Sequence, residues 1–249
     1  LPLVDVVANS SAIEPAPSLL TSGSEYAHAH HHGHNASACC SVALPLLHRT
    51  ELHQQYALSG EMLQRSLVST GNARILRVIE RIACGEPVKI VTIGGSVASG
   101  KTVFSRSVLP STARFVDWLR ARYPHNHGIH HTMLAVRGTT SLWRALEMDQ
   151  VQRVGPDLVL WDYSSNDMID SSALPLHELR AGIERLARLL LLLPTQPAIL
   201  YLVLPCTTRQ CVQPDGRPHP LQDAAVLPVV ERYGLALVSY RDAVNTTQP

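Results

Sequence analysis

Hydrophobic and polar positions alternate on two length scales along residues 56–249. Short runs of apolar and β-branched residues recur at Val88–Ile93 (VKIVTI), Thr132–Val136, Asp157–Trp161, Ala198–Leu204 and Leu235–Ser239. Runs of this length and composition predict strands. Between them lie longer segments with helical spacing. In Gly60–Cys84, Leu63, Leu67, Ile75, Val78, Ile79 and Ile82 recur at that spacing, with Gly71-Asn72 as a dividing point. Pro110–Tyr123 carries proline in its first turn, and Thr140–Val154, Pro175–Leu193 and Leu221–Tyr233 follow. Apolar strands separated by helices predict a parallel sheet covered on both faces. The expectation is a three-layer α/β/α sandwich with a five-stranded parallel sheet. Ligands of such sheets sit at the carboxyl ends of the strands. That directs attention to GGSVASG after Ile93, RGTTS after Val136, DYSSND after Trp161 and PCTTRQC after Leu204.

Residues 1–55 break this pattern. Ser, Ala and Pro dominate, HAHHHGH (His28–His34) sits in the middle, and no period persists. The segment reads as a flexible, low-complexity leader, and 56–249 as the folded domain. No Cys, Asp or Glu crowds the histidines, which disfavours a metal site there. A formal net charge of +1 and 16% charged residues give no sign of nucleic acid as partner. The longest apolar run, around Leu186–Leu193, is interrupted by Arg188 and ended by Pro194, so no membrane span is expected. LPLVDVV at the start lacks the features of a signal peptide, and Leu1 in place of Met suggests a missing or processed start. The five cysteines lack C-x-x-C spacing, so a zinc ribbon is disfavoured. Cys206 and Cys211 share a loop and are open to either a disulfide or free thiols. Sequons at Asn9, Asn35 and Asn245 permit a secretory route, which is weakly favoured over the cytoplasm.

VTIGGSVASGKT (Val91–Thr102) admits two chemistries. Gly95–Thr102 satisfies G-x-x-x-x-G-K-[ST], the phosphate-binding loop. Backbone N–H groups would cradle phosphates, Lys101 would neutralise them and Thr102 would hold magnesium. LVLWD (Leu158–Asp162) would supply the accompanying aspartate. This reading leaves RGTTS and SSND without a role. Alternatively, Gly94-Gly95-Ser96 closes the first strand and presents a nucleophilic serine. Acyl transfer also needs donors for the oxyanion. The N–H of Ser96, the N–H of Gly138 and the side-chain amide of Asn166 can supply them, so this reading uses all three loops.

GEPVKIVTIGGSVASG, AVRGTTS and PDLVLWDYSSND resemble, in order and spacing, the blocks of the SGNH (GDSL-type) hydrolase superfamily, with GGS in place of GDS. Together with YGLALVSYRDAV they are similar to a eukaryotic, largely algal and protist branch of that family. The resemblance spans roughly residues 56–249. It implies a flavodoxin-like fold and ester hydrolysis through an acyl-enzyme. Residue by residue, it makes Ser96 the nucleophile and Gly138 and Asn166 oxyanion donors. It implies no metal or organic cofactor, and a small-molecule, lipid or glycan ester as substrate. Lys101 departs from the family pattern. So does the fourth block, Asp-x-x-His, expected after the fifth strand. The last histidine here is His219, whose position and order are wrong for that block. The catalytic His and Asp are therefore expected beyond Pro249, in a longer chain.

Each residue also has a plainer role open to it. Ser96 can cap the next helix. Gly138 can serve the turn alone, and Asn166 can make an Asx-turn. Asp167 reads as a local cap and Asp162 as structural. Lys101 and Arg106 read as solvated, and His125, His127, His130 and His131 as a wet loop. Trp118 and Trp143 read as core. Two alternatives to the esterase remain: a nucleotide-binding protein using Gly95–Thr102, and a non-catalytic binding module on the SGNH fold.

Overall fold

The computed structural model describes residues 59–70, 73–100, 110–170, 175–204 and 222–244. The leader with His28–His34 lies outside these residues. So do Lys101, Thr102, Arg106, Cys206, Cys211, His219 and the three sequons.

Six strands form one sheet: β1 (Leu67–Thr70), β2 (Val88–Gly94), β3 (Ile129–Met133), β4 (Leu158–Asp162), β5 (Ala198–Val203) and β6 (Ala236–Ser239). Their order across the sheet is β1-β6-β5-β4-β2-β3. The strands from β2 to β6 are mutually parallel. They are the five expected, and their order is that of a doubly wound sheet. The sixth strand corrects the five-stranded expectation. β1 pairs antiparallel with β6. Leu67 continues the helical spacing of Leu63, which hid the strand. In fact helix α1 (Gly60–Ser66) ends there, with Leu67 at φ −87° and ψ 78°. Val-Ser-Thr then runs extended, and Ser69 Oγ donates to Leu235 O at 2.7 Å. Arg65 of α1 donates to the carbonyls of Asp242 and Ala243, 3.3 and 3.1 Å away.

Helix α2 (Ala73–Ala83) precedes β2, and α3 (Ser111–Arg122) precedes β3. The helix expected over Thr140–Val154 is two, α4 (Ser141–Leu146) and α5 (Asp149–Val154). Helix α6 (Ser164–Asp170) replaces what read as a loop. Helix α7 (Leu176–Leu191) precedes β5, a π-turn (Gln222–Val226) leads into α8 (Leu227–Tyr233), and α9 (Tyr240–Val244) follows β6. The second strand begins and ends three residues earlier than Thr132–Val136. Yet Leu134 and Val136 still donate to Thr92 O and Gly94 O of β2, at 2.8 and 2.9 Å. The apolar run thus reports the whole stretch lying along β2, including the part beyond the strand.

The two-residue period of the strands sorts the core into two faces. Val91, Ile93, Val159, Trp161, Ile199, Tyr201 and Leu237 pack against Ile183, Leu186 and Leu190 of α7 and against α8. Ile90, Leu158, Leu160, Leu200 and Val238 pack against α2 and α3. Leu186 is fully buried at 0% exposure. Leu186→Ala is expected to cost about 2–5 kcal/mol through lost burial and a residual cavity. Urea denaturation checks this; a loss under about 1 kcal/mol would show that α7 is not packed as described.

Candidate active site

Strand β2 ends at Gly94, paired in register with Asp162 of β4. The backbones are too close for side chains. A Cβ on Gly94 would lie 2.6 Å from Asp162 O, and one on Gly95 would lie 2.6 Å from Asn166 Cγ and 2.8 Å from Nδ2. The Asn166 side chain therefore rests on the Gly95 backbone, one residue before Ser96. Gly95 N donates to Asp162 O at 3.2 Å and fixes the entry to the turn. Ser99 N then donates to Gly95 O at 3.1 Å, and Gly100 N to Val97 O at 2.9 Å. Ser99 Oγ donates to Ser96 O at 2.9 Å. The Ser96 hydroxyl, on a partly exposed residue, makes no hydrogen bond to another described residue.

Asn166 sits in the first turn of α6, where Asn166 N and Asp167 N both donate to Tyr163 O at 2.9 Å. The sequence reading took this segment for a loop and missed the helix that orients Asn166. Four adjacent polar residues hide a turn whose apolar contacts come from Tyr163 and Met168, both buried.

Gly138 lies on the loop between β3 and α4. Its φ is +73°, and a Cβ there would meet nothing within 4 Å. Backbone conformation, not crowding, calls for glycine here. Thr139 Oγ1 donates to Val136 O at 2.6 Å, and Val136 N to Gly94 O at 2.9 Å. The loop is thus anchored beside the end of β2.

Asp167 is a structural hydrogen-bond partner across the chain, and the bonds of its side chain to Ser141 and Tyr201 are long-range. Buried at 1% exposure, it accepts from Ser141 N at 2.8 Å and from Ser141 Oγ at 2.6 Å, joining α6 to the start of α4. Trp161 Nε1 donates to the same Ser141 hydroxyl at 2.9 Å. Tyr201 OH donates to Asp167 at 3.4 Å. Burial, and then the Asp167 charge, push the Tyr201 hydroxyl well above its usual range. Sequence inspection assigned no role to Ser141, the last residue of RGTTS, and missed Arg144 altogether. Arg144 has 1% exposure, though a lone arginine in a helical pattern reads as a solvated one.

Asp162 is 2% exposed, and its Oδ2 has no hydrogen-bond partner among the described residues. Burial pushes its carboxyl up from 3.8 to about 7. This bears on the phosphate-loop reading. With no described cation beside it, this carboxyl is only about half ionised near pH 7, where a magnesium-holding aspartate is ionised. The N–H groups of Gly95, Ser99 and Gly100 are also already bonded to carbonyls of the chain, so they are not free to cradle phosphates. Lys101 and Thr102, on which that reading also depends, lie outside the described residues.

The histidines at 125–131 do not converge, and His130 and His131 lie on β3 rather than in a loop. His125 Nε2 bonds Ala83 O at 2.9 Å, and His131 Nε2 bonds Thr92 Oγ1 at 2.8 Å. Burial and then Arg120 push the His131 imidazole down. No group of three metal-ligating side chains occurs among the described residues. No helix of the described residues is long and apolar enough to cross a membrane.

No protein-family profile and no curated protein matches the chain. Solved structures do. A two-domain esterase active on acetylated mannans superposes with a TM-score of 0.57 at 22% identity, over 73% of this chain and 46% of that one. The chain therefore spans about half the length of that esterase. A variant of an acetyl-xylooligosaccharide esterase from Geobacillus superposes with a TM-score of 0.50 at 21% identity, over 65% of this chain and 82% of that one. An SGNH-hydrolase family esterase is looser, with a TM-score of 0.48 at 20% identity, over 65% of this chain and 81% of that one. The likeness is one of fold, an α/β/α arrangement shared with the two esterases that superpose at 0.50 or above.

Two variants probe this geometry. Gly95→Ala should displace Asn166, because the added methyl has nowhere to go. The expected result is a shifted Asn166 side-chain amide resonance in a folded protein; an unmoved resonance would refute the contact. Asp162→Asn tests the buried carboxyl. The folded state holds this proton more tightly than the unfolded one. Its contribution to stability is full below about pH 4 and is lost as pH rises through about 7. The gain in Tm of Asp162→Asn over wild type should therefore grow from pH 5 to pH 8. Parallel Tm curves would mean that Asp162 is not held neutral.

Proposed function

We propose that this chain carries the nucleophile and oxyanion hole of a serine ester hydrolase. The observation that carries the reading is the contact of the Asn166 amide with Gly95, beside a serine whose hydroxyl has no described partner. Two blocks more than sixty residues apart in the sequence meet at the carboxyl edge of β2 and β4, where the doubly wound order reverses.

In this mechanism Ser96 Oγ attacks the ester carbonyl carbon. Its proton passes to a general base and then to the departing alkoxide. The Ser96 N–H, the Gly138 N–H and the Asn166 amide hold the oxyanion, and water hydrolyses the acyl-enzyme. The general base this step needs is a histidine oriented by an aspartate; among the described residues, no histidine is hydrogen-bonded to Ser96. The substrate class is a small acyl ester. Acetylated oligosaccharides are the first to assay, since two of the similar structures are esterases of acetylated mannans and acetyl-xylooligosaccharides.

Three measurements on the protein in its full-length form test this. A fluorophosphonate should label Ser96. Ser96→Ala should abolish labelling and esterase activity, and Asn166→Ala should lower kcat about 10²–10³-fold. Millimolar ATP with magnesium should leave Tm unchanged. An unlabelled Ser96 together with a rise in Tm would overturn the esterase in favour of nucleotide binding; neither effect would leave a binding module.

A further inference from the structure

Arg144 is an expensive residue for its place. Its guanidinium cannot lose its charge, it is 1% exposed, and no described carboxylate pairs with it. Its bonds to described residues all go to neutral acceptors. Nη2 donates to Leu134 O at 2.6 Å, Nη1 to Glu147 O at 3.0 Å and Nε to Tyr163 OH at 3.2 Å. The cation also lies 4.9 Å from the Trp143 ring centroid. An apolar side chain would fill the same space without the desolvation cost, so the specific bonds suggest a role beyond filling it.

Those bonds connect two particular segments. Leu134 opens the loop that carries Gly138. Tyr163 opens the segment that carries Asn166, and its carbonyl accepts the Asn166 N–H at 2.9 Å. The loop's other end is tied to the same segment by Asp167 and Ser141. β2 holds Leu134 and Val136 but does not reach Tyr163. Arg144 is thus the direct link between the start of the glycine loop and the start of the asparagine helix.

We propose that Arg144 is a positioning residue that sets the separation of the two oxyanion donors, Gly138 and Asn166. The proposal rests on the esterase reading above. Arg144 touches no reacting atom; it acts through the loop at 134–140 and through Tyr163.

The test compares Arg144→Met and Arg144→Lys with wild type in the full-length protein, by amide hydrogen exchange and by turnover of p-nitrophenyl acetate. In Arg144→Met, exchange of the amides at 136–141 should speed up while those of β4 and β5 keep their protection. KM should stay within about twofold and kcat fall about 10–100-fold, as expected for misplaced donors. Arg144→Lys keeps the charge and one or two of the bonds, so it should recover part of kcat. Unchanged exchange at 136–141, or an unchanged kcat with a loosened loop, overturns the proposal. So does a loss of kcat matched by general loss of protection. If Arg144→Met does not fold, Arg144→Lys decides by the same criteria. A wild-type protein inert to esters overturns the esterase reading itself, and with it the oxyanion role of Arg144. The exchange result would then report only whether the loop is held.

Discussion

The organisation of the sheet's carboxyl edge depends on the close approach of two backbones. β2 and β4 run side by side in register, and at Gly94–Asp162 the spacing leaves no room for a side chain on β2. One residue later the same constraint acts on Gly95 from the helix that follows β4. Two consecutive glycines are needed for steric reasons before any chemistry is considered. Because they are there, the serine turn can lie directly on α6 and Asn166 can come alongside it. A bulkier strand end would force the turn and the helix apart, and the parallel pairing alone would not bring them back.

Four of the five parallel strands were legible because each is buried on both faces and so reads as a nearly continuous apolar run, whereas β3, an edge strand reading IHHTM, was located three residues late. β1 was not, because it is an edge strand of four residues whose leucine also completes a helical spacing. The break between α4 and α5 at Glu147-Met148 was hidden by good helix formers. The candidates Ser96, Gly138 and Asn166 could be proposed from local blocks, each following an apolar run. The residues that hold those blocks together could not. Arg144 and Ser141 resemble ordinary helix residues in sequence, and it takes the long-range packing of α4 against α7, with its bonds to Trp161, Tyr163 and Asp167, to bury them. Asp162 could be located but not its state, since desolvation depends on the atoms that close over a carboxyl, and these come from distant segments.

The polar network beneath the site follows a consistent logic. Trp161, Ser141, Asp167 and Tyr201 come from β4, α4, α6 and β5, and each bond joins different elements. Such a network constrains relative position better than apolar packing does, because a shift of a fraction of an ångström leaves a buried donor unmatched. Apolar contacts between α7 and the sheet supply much of the burial. The polar contacts define how the loops sit over it.

The pairing of β1 with β6 has a consequence for how the protein is made. Ser69 and its partner Leu235 are 166 residues apart in the chain. At about 5–20 residues per second, a ribosome delivers the second on the order of 10–30 s after the first. During that interval α1 and β1 have no sheet edge to join, while the strands between them are already emerging and pairing. The first described elements of the chain are therefore among the last to dock during synthesis. Until then a short β-forming segment remains exposed to chaperones and to other nascent chains.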